Sequence, residues 1–448
     1  MNQTQDMTSG PIAKEILMFA LPLMWGNIFQ MLYNTVDSIV VGNFVGTQAL
    51  AAIGATTMVV NLAVFFFNGF SVGAGVVISN AFGAQQHQRL HDAVETVITM
   101  TFLMCVLFTI VGILAVGPLL RLMATPADVF DQAAQYLRIY FAGIAGLLIF
   151  NIGSGILRAV GDSTRPLLLL IVTSTLNIFL DLLFVIRFHL GIAGVAYATI
   201  IAQAISAVLV LRLLICTDAV YWFSWKDMMI DTKLLKQIMA IGLPSGIQSV
   251  ITALSNIFVQ SYINFFGSTC MAGWGCYNKL DSFIFLPIQS MAMAASTFVG
   301  QNCGAGKEDR MNRGTFTAVS ISVVVTAAIA GLIWVLAPAC IRLFSQAENV
   351  ITIGTLFIRT NCFFLIFNAV NHVLAAALRG RGDSLGPMVI MLLGFVAVRQ
   401  TYLFVITRYV INTPRVVGFG YPVGWMTTCV MEVLYFILRW RTVPQNKD

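Results

Sequence analysis

Twelve stretches of this sequence are long and apolar enough to cross a lipid bilayer, and nothing else in it constrains the fold as much. About 20 mainly apolar residues are needed to span the hydrocarbon as a helix, at 1.5 Å of rise per residue. The runs lie near 15–40, 49–80, 94–118, 132–156, 166–188, 192–215, 235–265, 273–301, 315–339, 350–377, 387–410 and 419–440. None alternates apolar and polar residues at the strand period, which argues against a membrane β-barrel. Only 10% of the 448 residues are charged and 58% are apolar, against roughly 25% charged in an ordinary soluble domain. A mean hydropathy of +0.86 over this length exceeds what one water-soluble core can bury. The expected fold is an all-α polytopic membrane protein with 12 transmembrane helices. A soluble enzyme, a coiled coil and a disordered regulator are excluded.

The net charge of +6 does not imply a nucleic-acid partner, because no cluster of five or more basic residues exists. The eight cysteines never occur as CxxC and sit mostly in apolar runs, so they are read as reduced packing residues. No cleavable signal is expected ahead of the first span. Lys and Arg set the orientation. With a cytoplasmic N-terminus, inside segments hold 16 of them and outside loops 5. Both termini are therefore expected in the cytoplasm. The longest inside loop carries most of the exposed charge. It divides the chain into an N-lobe (1–215, six spans), a linker (216–234) and a C-lobe (235–448, six spans).

The lobes repeat. An offset of 221 residues lays Asn43-Phe44 on Asn264-Phe265, Gly83-Ala84 on Gly304-Ala305 and Arg89 on Arg310. It also lays Leu157-Arg158 on Leu378-Arg379, Gly161-Asp162-Ser163 on Gly382-Asp383-Ser384, and Pro166 on Pro387. One residue more aligns Leu21-Pro22 with Leu243-Pro244. Six spans per repeat give both lobes the same sense through the membrane. Such a parallel repeat is typical of secondary transporters with a central site.

Arg381-Gly382-Asp383 looks like an adhesion motif, but its twin is Val160-Gly161-Asp162, and a repeated tight turn between helices explains both. The four histidines have no ligand spacing, and no Walker GxxxxGK[ST] occurs. No enzyme activity and no cofactor are expected.

Ionisable residues deep in a span are costly and point to function. In the N-lobe these are Asp37 and Asp181, and Asn177 shares a helical face with Asp181. Counted from the expected span ends, Asp37, Asp181 and Thr199 all lie roughly 9–12 Å below the outer surface. Three helices thus bring oxygen atoms to one level, which suits a shared proton or a small hard cation such as Na⁺. The structural alternative is a helix-end carboxylate facing headgroups. Residues shifted from Asp37, Asn177 and Asp181 are Phe258, Val398 and Tyr402, so the C-lobe lacks this pattern. It has Lys279, Asp281, Arg399 and Glu432 within spans instead, and pairing among them is expected. Pro22 and Pro244 fall inside spans and should kink them, which makes Pro22 a candidate hinge in the helix carrying Asp37. Met24, Met31, Met58, Met291 and Met293 are candidate linings of an adaptable substrate cavity.

On these residues the chain resembles the multidrug and toxic compound extrusion (MATE) family, in its bacterial DinF-like branch. Leu21-Pro22 with Asp37, Gly83-Ala84 and Leu157 to Asp162 carry the likeness in the N-lobe. Asp281-Ser282-Phe283, Leu286 to Gln289, Gly300-Gln301-Asn302 and Gly304-Ala305-Gly306 carry it in the C-lobe. The resemblance implies a V-shaped pair of lobes in the cytoplasmic (inner) membrane that alternates access. It implies export of small organic and cationic amphipathic compounds driven by H⁺ or Na⁺. It assigns cation coupling to Asp37, Asn177, Asp181 and Thr199, with Tyr136 an associated residue. A monomer is expected. Two other readings stand beside antiport: a flippase for lipid-linked saccharides and a non-transporting membrane receptor. A flippase needs an Arg-rich cavity for phosphates, whereas most Arg here lies in loops.

Overall fold

A computed structural model describes residues 5–123 and 125–439, apart from the side chains of 47, 50, 58 and 62. Among the described residues the regular structure is all helical, without strands. Eleven helical segments among the described residues are long and apolar enough to cross a membrane, and a pair bent by 50°, Ala127–Ala142 with Ile144–Ala159, brings the number to twelve if it is counted as one span. These spans coincide with the twelve apolar runs.

By its internal contacts the chain forms two compact units, Met1–Asp6 with Leu21–Gly242 and Met7–Ala20 with Leu243–Asp448. The first contains most of α1 (Ile12–Val40), then α2 (Thr47–Gly83), α3 (His87–Leu122), α4 (Ala127–Ala142), α5 (Ile144–Ala159), α6 (Thr164–Leu182) and α7 (Gly191–Ile215). The second contains most of α8 (Thr232–Asn264), then α9 (Ser268–Gly304), α10 (Glu308–Val335), α11 (Ala337–Arg342) and α12 (Glu348–Asn361). It ends with α13 (Leu365–Gly380), α14 (Leu385–Leu392), α15 (Arg399–Val405), α16 (Pro414–Gly418) and α17 (Gly420–Arg439). Two helices change unit along their length, α1 after Ala20 and α8 after Gly242. Each change falls immediately before a Leu-Pro pair, Leu21-Pro22 or Leu243-Pro244. Proline removes a helical hydrogen bond and crowds the preceding turn, so each helix lacks one main-chain bond close to that change.

The repeat extends to irregularities. Gly143 separates α4 from α5, and the 221-residue offset carries it onto Phe364, in the 3₁₀ turn Cys362–Phe364 between α12 and α13. A side chain at Gly143 would collide with Ile200 of α7, so the bend follows a close helix approach. The twin turns after α5 and α13 are built alike. Gly161 and Gly382 have φ of 88° and 98°, a region that L-residues avoid. The following Asp then caps the next helix. Asp162 Oδ1 accepts from the Thr164 and Arg165 amides at 3.1 and 3.0 Å, and Asp383 Oδ1 accepts from the Gly386 amide at 3.1 Å. Asp162 also meets Arg165 Nε at 3.4 Å, and its carboxyl is pushed up by burial against the pull of those bonds. Arg381 pairs with Glu308 at 3.2 Å, so the Arg-Gly-Asp sequence is used up within the fold.

Two segments are held more firmly than composition suggests. In the stretch 216–234, the Ser224 amide donates to Glu95 Oε1 at 2.8 Å and the Asp231 amide to Thr96 Oγ1 at 3.0 Å. Trp222 stacks on His91 of α3, with ring centroids 4.5 Å apart. The N-terminal peptide is caught by the second unit. Met7 donates to Gln301 Oε1 at 3.0 Å, and its carbonyl accepts from Asn302 Nδ2 and Arg310 Nε at 3.1 Å each. The Gln301-Asn302 pair thereby acquires a structural duty. The described cysteines are all unpaired.

Candidate cation site

In the first unit, the two acidic residues occupy equivalent places on their helices. Asp37 lies three residues before the end of α1, which continues into a π-helical turn at Val41–Val45. Asp181 is the penultimate residue of α6, followed by a second π turn at Leu183–Arg187. The two π turns pack together. Such wide turns are uncommon and gather at functional sites.

Asp181 is fully buried and Asp37 partly so. Their carboxyl groups come within hydrogen-bonding reach of each other. Two carboxylates this close repel unless a proton or a cation lies between them. Oδ1 of each is buried without a hydrogen-bond donor. Among the described residues no group of three His, Cys, Asp or Glu could hold a metal ion. The donor set is therefore two carboxylates with neutral oxygens, which fits a proton or a monovalent hard cation.

Neutral groups tie this pair to α7. With its amide nitrogen toward Asp181, Asn177 donates to Asp181 Oδ2 at 3.0 Å and accepts from the Thr199 backbone N–H at 3.3 Å. The opposite orientation would set acceptor against acceptor. Thr199 Oγ1 donates to the Val195 carbonyl at 3.0 Å and lies within reach of the Tyr33 hydroxyl. Tyr136 is buried within electrostatic range of both carboxyls and stacks on Tyr140, with ring centroids 6.1 Å apart. Tyr140 in turn reaches Gln203. Asp37, Asn177, Asp181, Thr199 and Tyr136 thus come together from α1, α4, α6 and α7.

Tyr33, Tyr140 and Gln203 are members of this cluster that depth counting missed. A signal for them existed. Tyr33 precedes Asp37 by four residues as Asn177 precedes Asp181, and Gln203 follows Thr199 by four, so each shares its partner's helical face.

Other candidates fall elsewhere. Met24 and Met31 lie on α1 in the first unit and Met291 and Met293 on α9 in the second, while the Met58 side chain lies outside the described residues. The pairing expected among Lys279, Asp281, Arg399 and Glu432 is not found: no ion pair joins any two of them among the described residues. Lys279 and Asp281, two residues apart on α9, point to different faces. Lys279 sits over Phe344 at 5.2 Å, and Asp281 accepts from the Tyr277 hydroxyl at 3.1 Å. Glu432 is fully buried with neither carboxyl oxygen hydrogen-bonded.

Known proteins share both the sequence pattern and the fold. The MatE family model matches residues 22–183 and 244–400, one stretch in each half. The chain belongs to the MatE family. A probable multidrug resistance protein of Bacillus subtilis, YpnP, is 28% identical over 444 residues, covering 98% of each chain. A probable multidrug resistance protein of Thermotoga maritima, NorM, is 25% identical over 89% of this chain and 86% of its own. The outward-facing conformation of a multidrug resistance MATE family transporter matches with a TM-score of 0.92 at 24% identity, over 98% of each chain. A crystal structure of MATE in the straight conformation matches with a TM-score of 0.91 at 24% identity, again over 98% of each chain. These likenesses show a MATE fold. The matched stretches include Pro22, Asp37, Asn177 and Asp181, whereas Thr199 lies beyond them.

Proposed function

We propose that this MatE protein is an antiporter that exports small organic amphipathic compounds in exchange for inward H⁺ or Na⁺. The carrying observation is the Asp37–Asp181 pair, tied through Asn177 to Thr199 in the first unit. Two carboxyls this near each other cannot both carry charge cheaply. A proton or Na⁺ relieves the repulsion, and its release restores it. The arrangement of α1 around Asp37 then depends on whether the cation is bound, and Pro22, inside α1, is the hinge of this proposal. Substrate and cation compete when each favours a different arrangement of that helix, and a ligand shifts the balance only by its differential affinity. The multidrug resistance relatives support export of drug-like molecules. The acidic cluster in the first unit supports placement in the DinF-like branch. Termini in the cytoplasm and a monomeric protein belong to the same proposal.

Transport in proteoliposomes with pH and Na⁺ gradients imposed separately is the test. At least one gradient should drive efflux in the natural protein, and Asp37→Asn and Asp181→Asn should each abolish that drive. Efflux at the natural rate in both variants, at equal reconstituted amounts, overturns the coupling.

A further inference from the structure

Arg399 is a buried guanidinium without a carboxylate. It lies near the middle of the span Leu385–Val410, directly after a π-helical stretch at Leu393–Val398. Only 3% of the residue is exposed. Its Nη2 donates to Ser255 Oγ at 2.6 Å, and its Cζ stands 4.7 Å from the Tyr421 ring centroid. Its Nε is buried with no hydrogen-bond acceptor. Among the described residues no Asp or Glu forms an ion pair with it. A hydroxyl and an aromatic face ease the burial of this cation but bring no negative charge. Arginine does not escape the cost by losing its proton.

A purely structural duty does not account for the charge. The neutral neighbour Gln400 already ties this turn to α8, donating to Ser255 Oγ at 2.9 Å and to the Ser255 carbonyl at 3.0 Å. Ser255 Oγ in turn donates to the Phe395 carbonyl at 3.1 Å, closing the link across the π stretch. What the guanidinium adds is a fixed positive charge and a free N–H.

The repeat gives that charge its meaning. The offset of 221 residues lays Val398 on Asn177, so Arg399 follows directly on the twin of a cation-site residue. Twins of the two carboxylates are Phe258 and Tyr402. The second unit thus has no twin of the paired carboxylates, and its guanidinium stands near the middle of a span in a unit that also carries Asp281 and Glu432. Midplane positions of this kind are where transporters of repeated architecture hold their ligands. We propose that Arg399 is an anion-recognition residue, and that the exported amphiphiles carry an oxyanion, a carboxylate or a phosphate. Such a group accepts a charge-assisted bond from the free Nε–H, and the Tyr421 ring beside it offers an aromatic surface. This names a substrate class for the transport proposed above and rests on that reading.

Binding to the purified full-length protein in neutral detergent is the test, read by fluorescence anisotropy. The probes are dansyl-amino undecanoate and its trimethylammonium twin, which share one apolar body. The natural protein should bind the carboxylate probe more tightly than its methyl ester. Arg399→Gln should weaken the carboxylate probe by about tenfold or more, the value of one hydrogen bond to a charged group. Arg399→Lys should fall between, and binding of the ammonium twin should stay as it was. Equal carboxylate affinity in Arg399→Gln, or equal loss of both twins, overturns the proposal. Should Arg399→Gln fail to fold, a natural protein that prefers the ester overturns it just as well. Co-purified anionic phospholipid that depends on Arg399, with no binding of the undecanoate, also overturns it, because the oxyanion then belongs to the membrane. No gradient is needed for binding. Loss of coupling with Arg399-dependent binding intact therefore refutes the antiport reading and leaves this one standing.

Discussion

Replacing Asp181 by Asn tests the cation site most directly, because it removes charge with little change in shape. In the structure Asp181 is fully buried, receives one bond from Asn177 at 3.0 Å and faces the Asp37 carboxyl. Removing one partner of a buried ionic contact costs about 3–5 kcal/mol. At 1.36 kcal/mol for each tenfold step, cation affinity should fall by about 10²- to 10³-fold or more. Folding should suffer little, since the repulsion between Asp37 and Asp181 disappears as well. The assay is Na⁺- and pH-dependent protection of the purified protein against thermal unfolding, run beside substrate efflux in proteoliposomes. A ligand at 100 times its dissociation constant stabilises by about 2.7 kcal/mol, and a loss of affinity this large erases that gain. Asp181→Asn should therefore melt at the same temperature with or without the coupling cation, and its efflux should stop responding to the gradient. Glu348→Gln, which disturbs only the exposed pair with Arg342, should leave both responses intact. Cation-dependent stabilisation of natural size in Asp181→Asn would refute a cation held by this pair.

Pro22→Ala should slow turnover while leaving equilibrium substrate affinity nearly unchanged, as separate rate and binding measurements can establish. Gly161→Ala should lower stability by about 1–2 kcal/mol for the positive φ alone, and more for the collision of its methyl group with the Gln5 carbonyl; thermal unfolding in detergent measures it. Gln85 has φ of 56°, so Gln85→Gly should raise stability by about 0.5–1 kcal/mol as the left-handed strain outweighs the added chain entropy. Cys216 is exposed in the stretch after α7. In intact cells expressing a variant with no other cysteine, it should resist a membrane-impermeant maleimide and react once the cells are permeabilised, if that loop is cytoplasmic.

Spans and the acidic residues were legible in the sequence because both follow from one dominant cost, that of polar atoms in hydrocarbon. Counting 1.5 Å per residue from span ends was enough to put Asp37, Asp181 and Thr199 at one level. Tyr33 and Tyr140 escaped because a tyrosine can sit in a span as an apolar ring, so its spacing of four from Asp37 or Tyr136 becomes a signal only once the site residues are known. The π turns after Asp37 and Asp181 escaped for another reason: they are changes of hydrogen-bond register that no residue type announces. Capture of Met7 by Gln301, Asn302 and Arg310 runs through main-chain atoms, which are the same in every residue. Arg399 was visible as a costly residue, but its lack of a carboxylate could be learned only from the geometry around Ser255 and Tyr421.

The comparison of the two units separates what the fold requires from what transport requires. The backbone repeats even where side chains do not. Gln85 and Gly306, related by the same offset, have φ of 56° and 69°. One unit supplies a glycine for that turn and the other tolerates the strain. Turn glycines, capping aspartates and the two Leu-Pro pairs satisfy the bilayer's demand that helices start, stop and bend at fixed depths, and that demand is equal in both halves. Buried charges meet no such demand, since hydrocarbon penalises them wherever they stand. Some repeat, as Arg158 and Arg379 do, but the paired carboxylates on α1 and α6 and the guanidinium on α15 have no counterpart at the same offset in the other unit. A symmetric scaffold with the same charge in both halves would attract one kind of ligand twice. On the two proposals above, the carboxylates of the first unit answer to the driving cation and Arg399 of the second to the cargo, so that the two can be exchanged without competing for the same atoms.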